Sequence, residues 1–417
     1  MLTRRSVPEL VSRRAAGIPA EAFAVAAPIV EAVRLRGEAA LRAYAERFAD
    51  LAVGGSLFLE RATLDHALAA IPATDRARLE RVAERIRIFA EAQKRALAAV
   101  TVSVPGGAAG HWIAPVARAG CYAPGGRYPL PSSVLMTAVT ARVAGVKEIW
   151  VASPKPGPMT LAAAAVGGAD GLLAAGGAHA IAALAFGAGP VPACDVIVGP
   201  GNRYVTAAKQ LVGGRVAIDM LAGPSELVVF ADHTANPAAI AADLLAQAEH
   251  DPDAVPILVA LDPALADRVE AELSRQLATL PTAAVAREAL ANGGVVNVAS
   301  VEEGIAACDA LAPEHLELFL DGADRVAPRL AHFGALFIGG ASAEVLGDYG
   351  AGPNHVLPTG GTARARGGLS VYTFLRIRTW LRIDDGAAAR PILEDAAWFG
   401  RVEGLEGHAR SAERRLD

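Results

Sequence analysis

Beyond the first 115 residues, short apolar segments alternate with alanine-rich segments of helical length. One series occupies residues 117–220, with a candidate strand at Val196–Val198. A second series runs from a candidate strand at Leu227–Ala231 to another at Ala335–Ile338. Strands that alternate with helices favour parallel sheets, because each helix carries the chain back to the start of the next strand. The sequence therefore predicts an α/β fold with two Rossmann-like domains.

Helices without accompanying strands are predicted towards both ends of the chain. Apolar residues recur every three or four positions in Ile29–Phe48 and Thr74–Leu97, as in amphipathic helices. The segment Pro391–Arg415 is predicted to be a helical tail with no sheet of its own, and we expect it to pack on a partner subunit. The expected division is residues 1–121 as the helical N-terminal part of the first α/β domain, 122–224 as the second, cofactor-side domain, 225–371 as the remainder of the first domain and 372–417 as the tail.

Composition favours an enzyme that acts on a small molecule. With 53% hydrophobic residues among 417, the chain can bury a large core. The net charge of −5 and the lack of long single-sign runs argue against a nucleic-acid partner. Three widely spaced cysteines predict neither a disulfide framework nor a thiolate metal site, and we expect a cytoplasmic location. No membrane segment is predicted, because Asp170, His179 and several glycines interrupt the apolar stretch Met159–Cys194.

Glycine- and proline-rich loops separate the predicted strands and helices at Pro124–Pro131, Gly199–Asn202, Gly223–Ser225 and Gly347–Gly361. Open α/β sheets bind ligands with loops at strand ends, so we expect the functional residues there. The Rossmann fingerprint Gly-x-Gly-x-x-Gly is absent, since Gly199-Pro-Gly is followed by Asn202-Arg-Tyr. These glycines alone therefore do not predict a dinucleotide, and tight turns remain an alternative explanation for them.

Candidate metal ligands lie in a predicted helix and in a loop. Gln247 and His250 are three residues apart near the end of the predicted helix Pro237–His250, so they share one helix face. In the last glycine-rich loop, Asp348 could bind a metal and His355 could hydrogen-bond a substrate. Nitrogen and oxygen ligands suit Zn²⁺, although Mn²⁺ or Co²⁺ could replace it. A surface histidine at 250 and an Asx turn at 348 are the alternatives.

A candidate acid–base pair follows Pro313, which we expect to begin a helix with Glu314 and His315 in its first turn. A carboxylate beside an imidazole offers two proton acceptors of different basicity, as a reaction with two proton abstractions requires. Glu314 could instead simply complement a helix dipole. In the tail, Glu403 and His408 lie five residues apart and could equally form a solvated helix face.

Nine short sequence blocks in a fixed order connect these candidates to one enzyme family. The blocks are Tyr122-Ala-Pro-Gly-Gly126, Pro131-Ser-Ser-Val-Leu-Met136, Val198-Gly-Pro-Gly-Asn202, Gly223-Pro-Ser-Glu226, Gln247-Ala-Glu-His250, Ala312-Pro-Glu-His-Leu-Glu317, Gly347-Asp-Tyr349, Gly352-Pro-Asn-His-Val-Leu-Pro-Thr-Gly-Gly361, and Glu403 with His408. In these blocks the chain resembles the histidinol dehydrogenase family, from about Arg34 to His408.

The resemblance implies an NAD- and zinc-dependent oxidation of L-histidinol to L-histidine through bound histidinal, a four-electron reaction that uses two NAD in histidine biosynthesis. It implies His315 as the base and Glu314 as the water activator. Zinc is expected to bind Gln247, His250 and Asp348 of one subunit and His408 of the partner subunit, which makes the enzyme a homodimer. NAD is expected to contact Tyr122, His179 and Asn202. The positions expected to bind the substrate are Ser225, Gln247, His250, His315, Asp348, His355, Glu403 and His408.

Two segments depart from the family pattern. His179 replaces the glutamine that usually follows Gly-Gly-Ala and meets the cofactor, and Arg127-Tyr-Pro-Leu130 also differs from the common sequence. A related zinc- and NAD-dependent enzyme for another polar alcohol, such as a sulfonated diol, is therefore an alternative. A catalytically silent protein that binds a metal or metabolite is a second alternative. The choice of NAD over NADP also remains open.

Overall fold

Two parallel β-sheets organise the chain. The computed structural model describes residues 2–14, 17–51, 55–125 and 128–416. Gly126 of the block Tyr122–Gly126 and Arg127 of the divergent segment Arg127–Leu130 lie outside the described residues. Within the described residues the strands are β1 (Phe58–Glu60), β2 (Val100–Val104), β3 (Gly107–Pro115), β4 (Arg118–Tyr122), β5 (Glu148–Ala152), β6 (Gly171–Leu173), β7 (Val196–Val198), β8 (Ala217–Ile218), β9 (Glu226–Ala231), β10 (Val255–Ala260), β11 (Gly294–Asn297), β12 (His315–Phe319), β13 (Ala335–Ile338) and β14 (Leu375–Ile383).

Helices connect most of these strands. The described helices are α1 (Val7–Arg14), α2 (Ala20–Arg36), α3 (Glu38–Arg47), α4 (Arg61–Ala70), α5 (Ala73–Arg95), α6 (Pro131–Ala144), α7 (Pro158–Val166), α8 (Gly177–Phe186), α9 (Arg203–Val212), α10 (Pro237–Ala248), α11 (Pro263–Leu277), α12 (Ala283–Leu290), α13 (Val301–Leu311), α14 (Ala323–Val326), α15 (Glu344–Asp348), α16 (Arg390–Val402) and α17 (Glu406–Glu413). Short 3₁₀ helices occur at Ala327–Arg329, Thr362–Arg364 and Val371–Phe374. In the described part of the chain, no helix has the length and apolar character needed to cross a bilayer.

The two main sheets share one strand order. The six-stranded sheet has the order β1-β6-β5-β4-β7-β8, with β1 antiparallel to β6 and the other pairs parallel. The five-stranded sheet is β11-β10-β9-β12-β13 and is parallel throughout. In both, the chain adds two strands on one side of a central strand and then two on the other. The order therefore reverses between β4 and β7 and between β9 and β12, which confirms the predicted α/β class with two Rossmann-like units.

Helices cover both faces of each sheet. The six-stranded sheet packs against α2, α3, α8 and α9 on one face and against α4–α7 on the other. The five-stranded sheet packs against α10–α12 and, on its other face, α1 and α13. Burial from both sides explains why β9 and β10 are mostly apolar without alternation. Helices α2–α5 thus pack on the six-stranded sheet, whereas α1 packs on the five-stranded sheet. The expected domain boundary at residue 121 falls within β4. The division into domains stays a prediction.

Predicted and observed elements agree at two short apolar strands and differ where a single residue interrupts a longer pattern. The strands Val196–Val198 and Ala335–Ile338 lie where the sequence predicts them. The predicted helix Ile29–Phe48 is instead divided between α2 and α3, because Gly37 adopts a φ of 56° between them. Glycine tolerates this left-handed conformation, which breaks the helical hydrogen-bond ladder.

The prediction that Pro313 begins a helix is wrong. Helix α13 ends when Ala312 adopts a left-handed φ of 45°, and His315 begins strand β12. All five residues of β12 are buried, since the strand lies between β9 and β13. The proline therefore follows a helix end instead of starting a helix, and the acid–base pair lies at the amino end of a central strand.

Residues 372–417, expected as a helical tail, also contain a strand, which precedes the predicted helical segment Pro391–Arg415. Strand β14 pairs with β3 over nine residues, and β3 pairs with β2 to complete a three-stranded antiparallel sheet. The sequence of β14, Leu-Arg-Ile-Arg-Thr-Trp-Leu-Arg-Ile, alternates as a two-sided strand requires. The helical part of the tail is confined to α16 and α17.

Helix α13 approaches β9 at a position that has no room for a side chain. A Cβ atom on Gly304 would lie 2.0 Å from Phe230 Cζ, and the Phe230 side chain is fully buried. We expect Gly304→Ala to lower the free energy of unfolding by roughly 2 kcal/mol through overpacking. The matched change Gly214→Ala, where nothing lies within 4 Å, should leave stability within about 0.5 kcal/mol of wild type. Urea denaturation of both variants measures the difference, and equal midpoints would contradict the tight contact.

Candidate active site

The carboxyl end of the six-stranded sheet adjoins the amino end of the five-stranded sheet. Residues 219–225 lead directly from the end of β8 to the start of β9. Contacts across this junction join α6, which follows β4, to the loop after α15. His355 Nε2 lies 3.1 Å from Ser133 Oγ, and Asn354 Nδ2 donates to the Met136 carbonyl at 2.8 Å. The junction therefore brings loops of both sheets into one site.

Glu226, the first residue of β9, is held by a buried ion pair with Arg14 of α1. Arg14 Nε donates to Glu226 Oε1 at 2.7 Å, and Arg14 Nη2 contacts Oε2. A further guanidinium nitrogen donates to the Leu311 carbonyl at 2.7 Å, and the Gly360 amide donates to Oε1 at 3.1 Å. Both side chains are only 4% exposed. Such complete hydrogen bonding offsets the large cost of desolvating two charges.

The backbone of Glu226 holds both members of the candidate acid–base pair. Its amide donates to Glu314 Oε2 at 2.9 Å, and its carbonyl accepts from His315 Nδ1 at 3.0 Å. Because Nδ1 carries the proton in this hydrogen bond, Nε2 keeps a free lone pair. Burial lowers the pKa of His315 to about 4 and raises the pKa of Glu314 well above its usual range. The imidazole is therefore an unprotonated base at neutral pH.

Asp348, at the end of α15, lies among three histidines. Its carboxylate oxygens are 3.6 Å from His250 Nε2, 4.0 Å from His315 Nε2 and 3.9 Å from His355 Nδ1. Its backbone carbonyl also accepts from His355 Nδ1 at 2.9 Å. Burial opposes ionisation of Asp348, but the close contact with His250 and the other neighbouring imidazoles hold its pKa below the usual value. The same contact with Asp348 raises the pKa of His250.

Gln247 supplies the clearest indication of a ligand. It lies near the end of α10, three residues before His250, and its side chain is fully buried. Neither its amide oxygen nor its amide nitrogen has a hydrogen-bond partner among the described residues. A buried amide without a partner is costly, so an absent ligand explains it well. Ligand atoms of His250, Glu344 and Asp348 lie within 4.8 Å of one another, and these nitrogen and oxygen donors fit Zn²⁺.

Glu344 is a site residue that sequence reasoning missed. It lies one turn before Asp348 in α15, is buried, and both of its carboxylate oxygens lack hydrogen-bond partners in the described structure. Its Oε1 is 3.6 Å from His315 Nδ1. Burial, followed by the charge of Asp348, raises the pKa of Glu344 well above its usual range. The four-residue spacing to Asp348 was the available signal, but the glycine-rich sequence indicated a loop.

The predicted cofactor residues lie at the carboxyl end of the six-stranded sheet. Tyr122 ends β4, and Asn202 follows β7, so they flank the point where the strand order reverses. A side chain on Gly199 would come within 1.9 Å of the Tyr122 carbonyl, which explains the glycine there. Asn202 Oδ1 caps α9 by accepting hydrogen bonds from the backbone amides of Tyr204 and Val205. The NH₂ group of Asn202 is then available to a ligand. The Tyr122 hydroxyl accepts from the Gly177 amide at 3.2 Å, next to His179.

The remaining predicted site residues, Ser225, Glu403 and His408, have no hydrogen bond or ion pair with the Asp348 cluster among the described residues. Ser225 is half-buried immediately before Glu226. Glu403 and His408 lie on the pair α16–α17, and no hydrogen bond or ion pair of the described residues joins them to Asp348. The two helices pack on each other through Ala397, Ala409 and Ala412 and leave Trp398 59% exposed. A zinc site completed by the tail of a second subunit therefore stays a prediction.

Two Rossmann-like units with a buried acid–imidazole pair between them define an α/β enzyme. Comparison with known proteins identifies the family of the chain. The family profile for histidinol dehydrogenase matches residues 12–416. The chain is 52% identical over 338 residues to histidinol dehydrogenase of Thermus thermophilus, covering 81% of each sequence. It is 44% identical over 395 residues to histidinol dehydrogenase of Pseudomonas syringae pv. syringae, covering 93% of this chain and 88% of the other.

The fold agrees with the sequence match. A crystal structure of histidinol dehydrogenase from Elizabethkingia anophelis superposes with a TM-score of 0.90 at 31% identity, over 100% of this chain and 98% of the other. The chain belongs to the histidinol dehydrogenase family. Membership in this family confirms the predicted resemblance and the predicted oxidoreductase class.

The buried pair Arg14–Glu226 offers a test of how the acid–base pair is held. Arg14→Met leaves the Glu226 carboxylate buried without its cation, so we expect a loss of about 3 kcal/mol in the free energy of unfolding. The neighbouring Arg13 is exposed, and Arg13→Met should be nearly neutral. Denaturant titration of both variants provides the comparison. Equal stability of the two variants would show that the ion pair is unimportant.

Proposed function

We propose that the protein oxidises L-histidinol to L-histidine in histidine biosynthesis, with NAD as oxidant and zinc as substrate anchor. The observation that supports this most is the orientation of His315. Its Nδ1 is bound to the Glu226 carbonyl, so its unprotonated Nε2 faces the cluster of Asp348 and His250. A base beside a metal-binding set suits the oxidation of an alcohol that a metal holds in place.

Zinc is proposed to bind Gln247, His250 and Asp348, with His408 of the partner subunit as a further ligand. The buried amide of Gln247, which has no partner among the described residues, and the 3.6 Å separation of His250 and Asp348 support this set. When bound, zinc supplies a fixed positive charge that orients the amine and imidazole nitrogens of the substrate. Ser225, His355 and Glu403 complete the proposed substrate contacts.

NAD is proposed to lie across the carboxyl ends of β4 and β7 and to contact Tyr122, His179 and Asn202. When bound, it supplies the hydride acceptor for each oxidation. Burial raises the pKa of Tyr122 to about 12, so its hydroxyl keeps its proton and remains a donor. The free NH₂ group of Asn202 offers a second donor at the same edge of the sheet.

His315 moves the protons of the two oxidations, and Glu314 moves a proton of the hydration step between them. In the first oxidation, His315 Nε2 removes the hydroxyl proton as the carbinol hydride departs. The ionised Glu314 carboxylate then takes a proton from a water molecule that adds to the bound aldehyde, while His315 returns its proton to the carbonyl oxygen, which gives a gem-diol. In the second oxidation, the regenerated His315 base deprotonates this diol. One water and two hydride losses convert the primary alcohol into the carboxylate, and retention of the aldehyde avoids release of a reactive compound.

The runner-up is a dehydrogenase for another small polar alcohol. His179 in place of the usual glutamine is the residue that favours it, yet the proposed contact of His179 is with the cofactor and not with the substrate. The acid–base pair and the metal-binding residues are present, which disfavours a silent binding protein. The homodimer and the cytoplasmic location remain predictions.

The stoichiometry of NADH tests the proposed function. Purified, zinc-loaded protein should form two NADH for each L-histidinol consumed, with histidine as the product, because the aldehyde stays bound for the second oxidation. Absorbance at the NADH band and chromatography of the product provide both counts. Absence of turnover with zinc confirmed in place would reject histidinol as the substrate and lead to a screen of other polar alcohols.

Separate substitutions at the acid–base pair test the division of roles. His315→Asn should reduce both oxidations by at least about a hundredfold, since each needs the same base. Glu314→Gln keeps an oxygen for the Glu226 amide and should spare alcohol oxidation while slowing oxidation of added histidinal to a similar degree. Single-turnover NADH formation from histidinol and from histidinal measures the two steps. Equal loss of both steps in Glu314→Gln would remove its role as water activator.

A further inference from the structure

His179, which is proposed to contact NAD, forms a buried pair with Asp50, a residue to which the proposed function gives no role. His179 Nε2 lies 2.9 Å from Asp50 Oδ2, and the Gly176 amide donates to the same oxygen at 2.7 Å. His179 is 1% exposed and Asp50 is 9% exposed. Asp50 therefore joins the segment that follows α3 to the loop between β6 and α8.

Two aromatic rings fix the plane of the His179 imidazole. Tyr44 and Phe48 stack beside it, with ring centroids 6.2 Å and 5.6 Å from that of His179. Tyr44 belongs to α3, and Phe48 is the first residue after the end of that helix. With its plane set by these rings and its Nε2 set by Asp50, the imidazole has one orientation.

The second ring nitrogen of His179 lies at the edge of the proposed NAD site. This atom, Nδ1, is buried and makes no hydrogen bond within the described residues. Nδ1 lies beside Gly177, the first residue of α8: a Cβ atom built on Gly177 would be 3.6 Å from it. The Gly177 amide in turn contacts the Tyr122 hydroxyl, so Nδ1 borders the proposed NAD site. A buried polar atom without a partner at a helix start is consistent with a missing ligand group.

We propose that Asp50 is a positioning residue for NAD binding, which acts by holding His179 so that Nδ1 accepts a hydrogen bond from the cofactor. This inference rests on the proposed function. Asp50 accepts a hydrogen bond from the Nε2–H group, so in the ring form with a single proton Nδ1 is an acceptor. The matching group on the cofactor is therefore a donor, either a ribose hydroxyl or an amino group, and not a phosphate oxygen.

A double-mutant cycle on zinc-loaded protein tests this inference by titration calorimetry with NAD. His179→Phe keeps a ring beside Tyr44 and Phe48 but removes both nitrogens, and should weaken NAD binding about five- to tenfold. Asp50→Ala should weaken it to a similar extent. If Asp50 acts through His179, the double variant should bind NAD no more weakly than His179→Phe alone.

Conservative variants separate positioning from general damage. Asp50→Asn retains an oxygen that can accept from both Nε2 and Gly176, so NAD affinity should stay near wild type. His179→Asn retains an acceptor near the Nδ1 position and should recover part of the affinity lost in His179→Phe. The exposed Asp65 provides a control substitution, Asp65→Asn, that should not change binding. Zinc content and melting temperature identify any variant that is misfolded.

The outcomes distinguish this inference from the proposed function. Unchanged NAD affinity in His179→Phe, or additive losses in the double variant, would overturn the role of the pair while histidinol oxidation by the wild type still stands. Failure of the wild-type protein to bind NAD would overturn the proposed function and the inference together.

Discussion

The buried ion pair between Arg14 and Glu226 is the interaction on which the candidate site depends. It joins α1, the start of β9, the end of α13 and the loop at Gly360 through fully hydrogen-bonded charges. An apolar pair of similar size could fill the same space, and could even be more stable. It would not fix the Glu226 backbone, whose amide and carbonyl orient Glu314 and His315. The desolvation of Arg14 and Glu226 is costly, but their ion pair helps to hold Glu314 and His315 in a single arrangement.

The position of the site follows from how the two sheets are connected. The proposed cofactor residues Tyr122 and Asn202 obey the usual rule, since they lie at the carboxyl ends of β4 and β7. The acid–base pair breaks that rule, because it lies at the amino ends of β9 and β12. Residues 219–225 make these two ends neighbours. A hydride acceptor held by one sheet can thus face a base held by the other, and neither sheet alone offers both.

Sequence reasoning succeeded where one physical effect dominated and failed where several competed. Val196–Val198 was predicted with its exact bounds because burial on both faces leaves an apolar run between breakers. The strand at His315 was missed because Pro313 is also a common helix start, and only the pairing with β9 and β13 decides between the two. His250 and Asp348 were predicted from sequence blocks, whereas Glu344 needed burial and distances to be recognised. The location of His408 relative to the site requires a second chain.

The cluster around Asp348 favours ligand binding at the expense of the free protein. Gln247 has a buried amide without partners, and Glu344 and Glu317 retain unpartnered buried oxygens among the described residues. Each such group costs free energy in the folded chain, because water is lost and no protein partner replaces it. A cation that binds the donors of Gln247, His250 and Asp348 would recover part of that cost. Metal binding and folding would then be coupled through Gln247, whose buried amide oxygen has no partner among the described residues and could bind the metal.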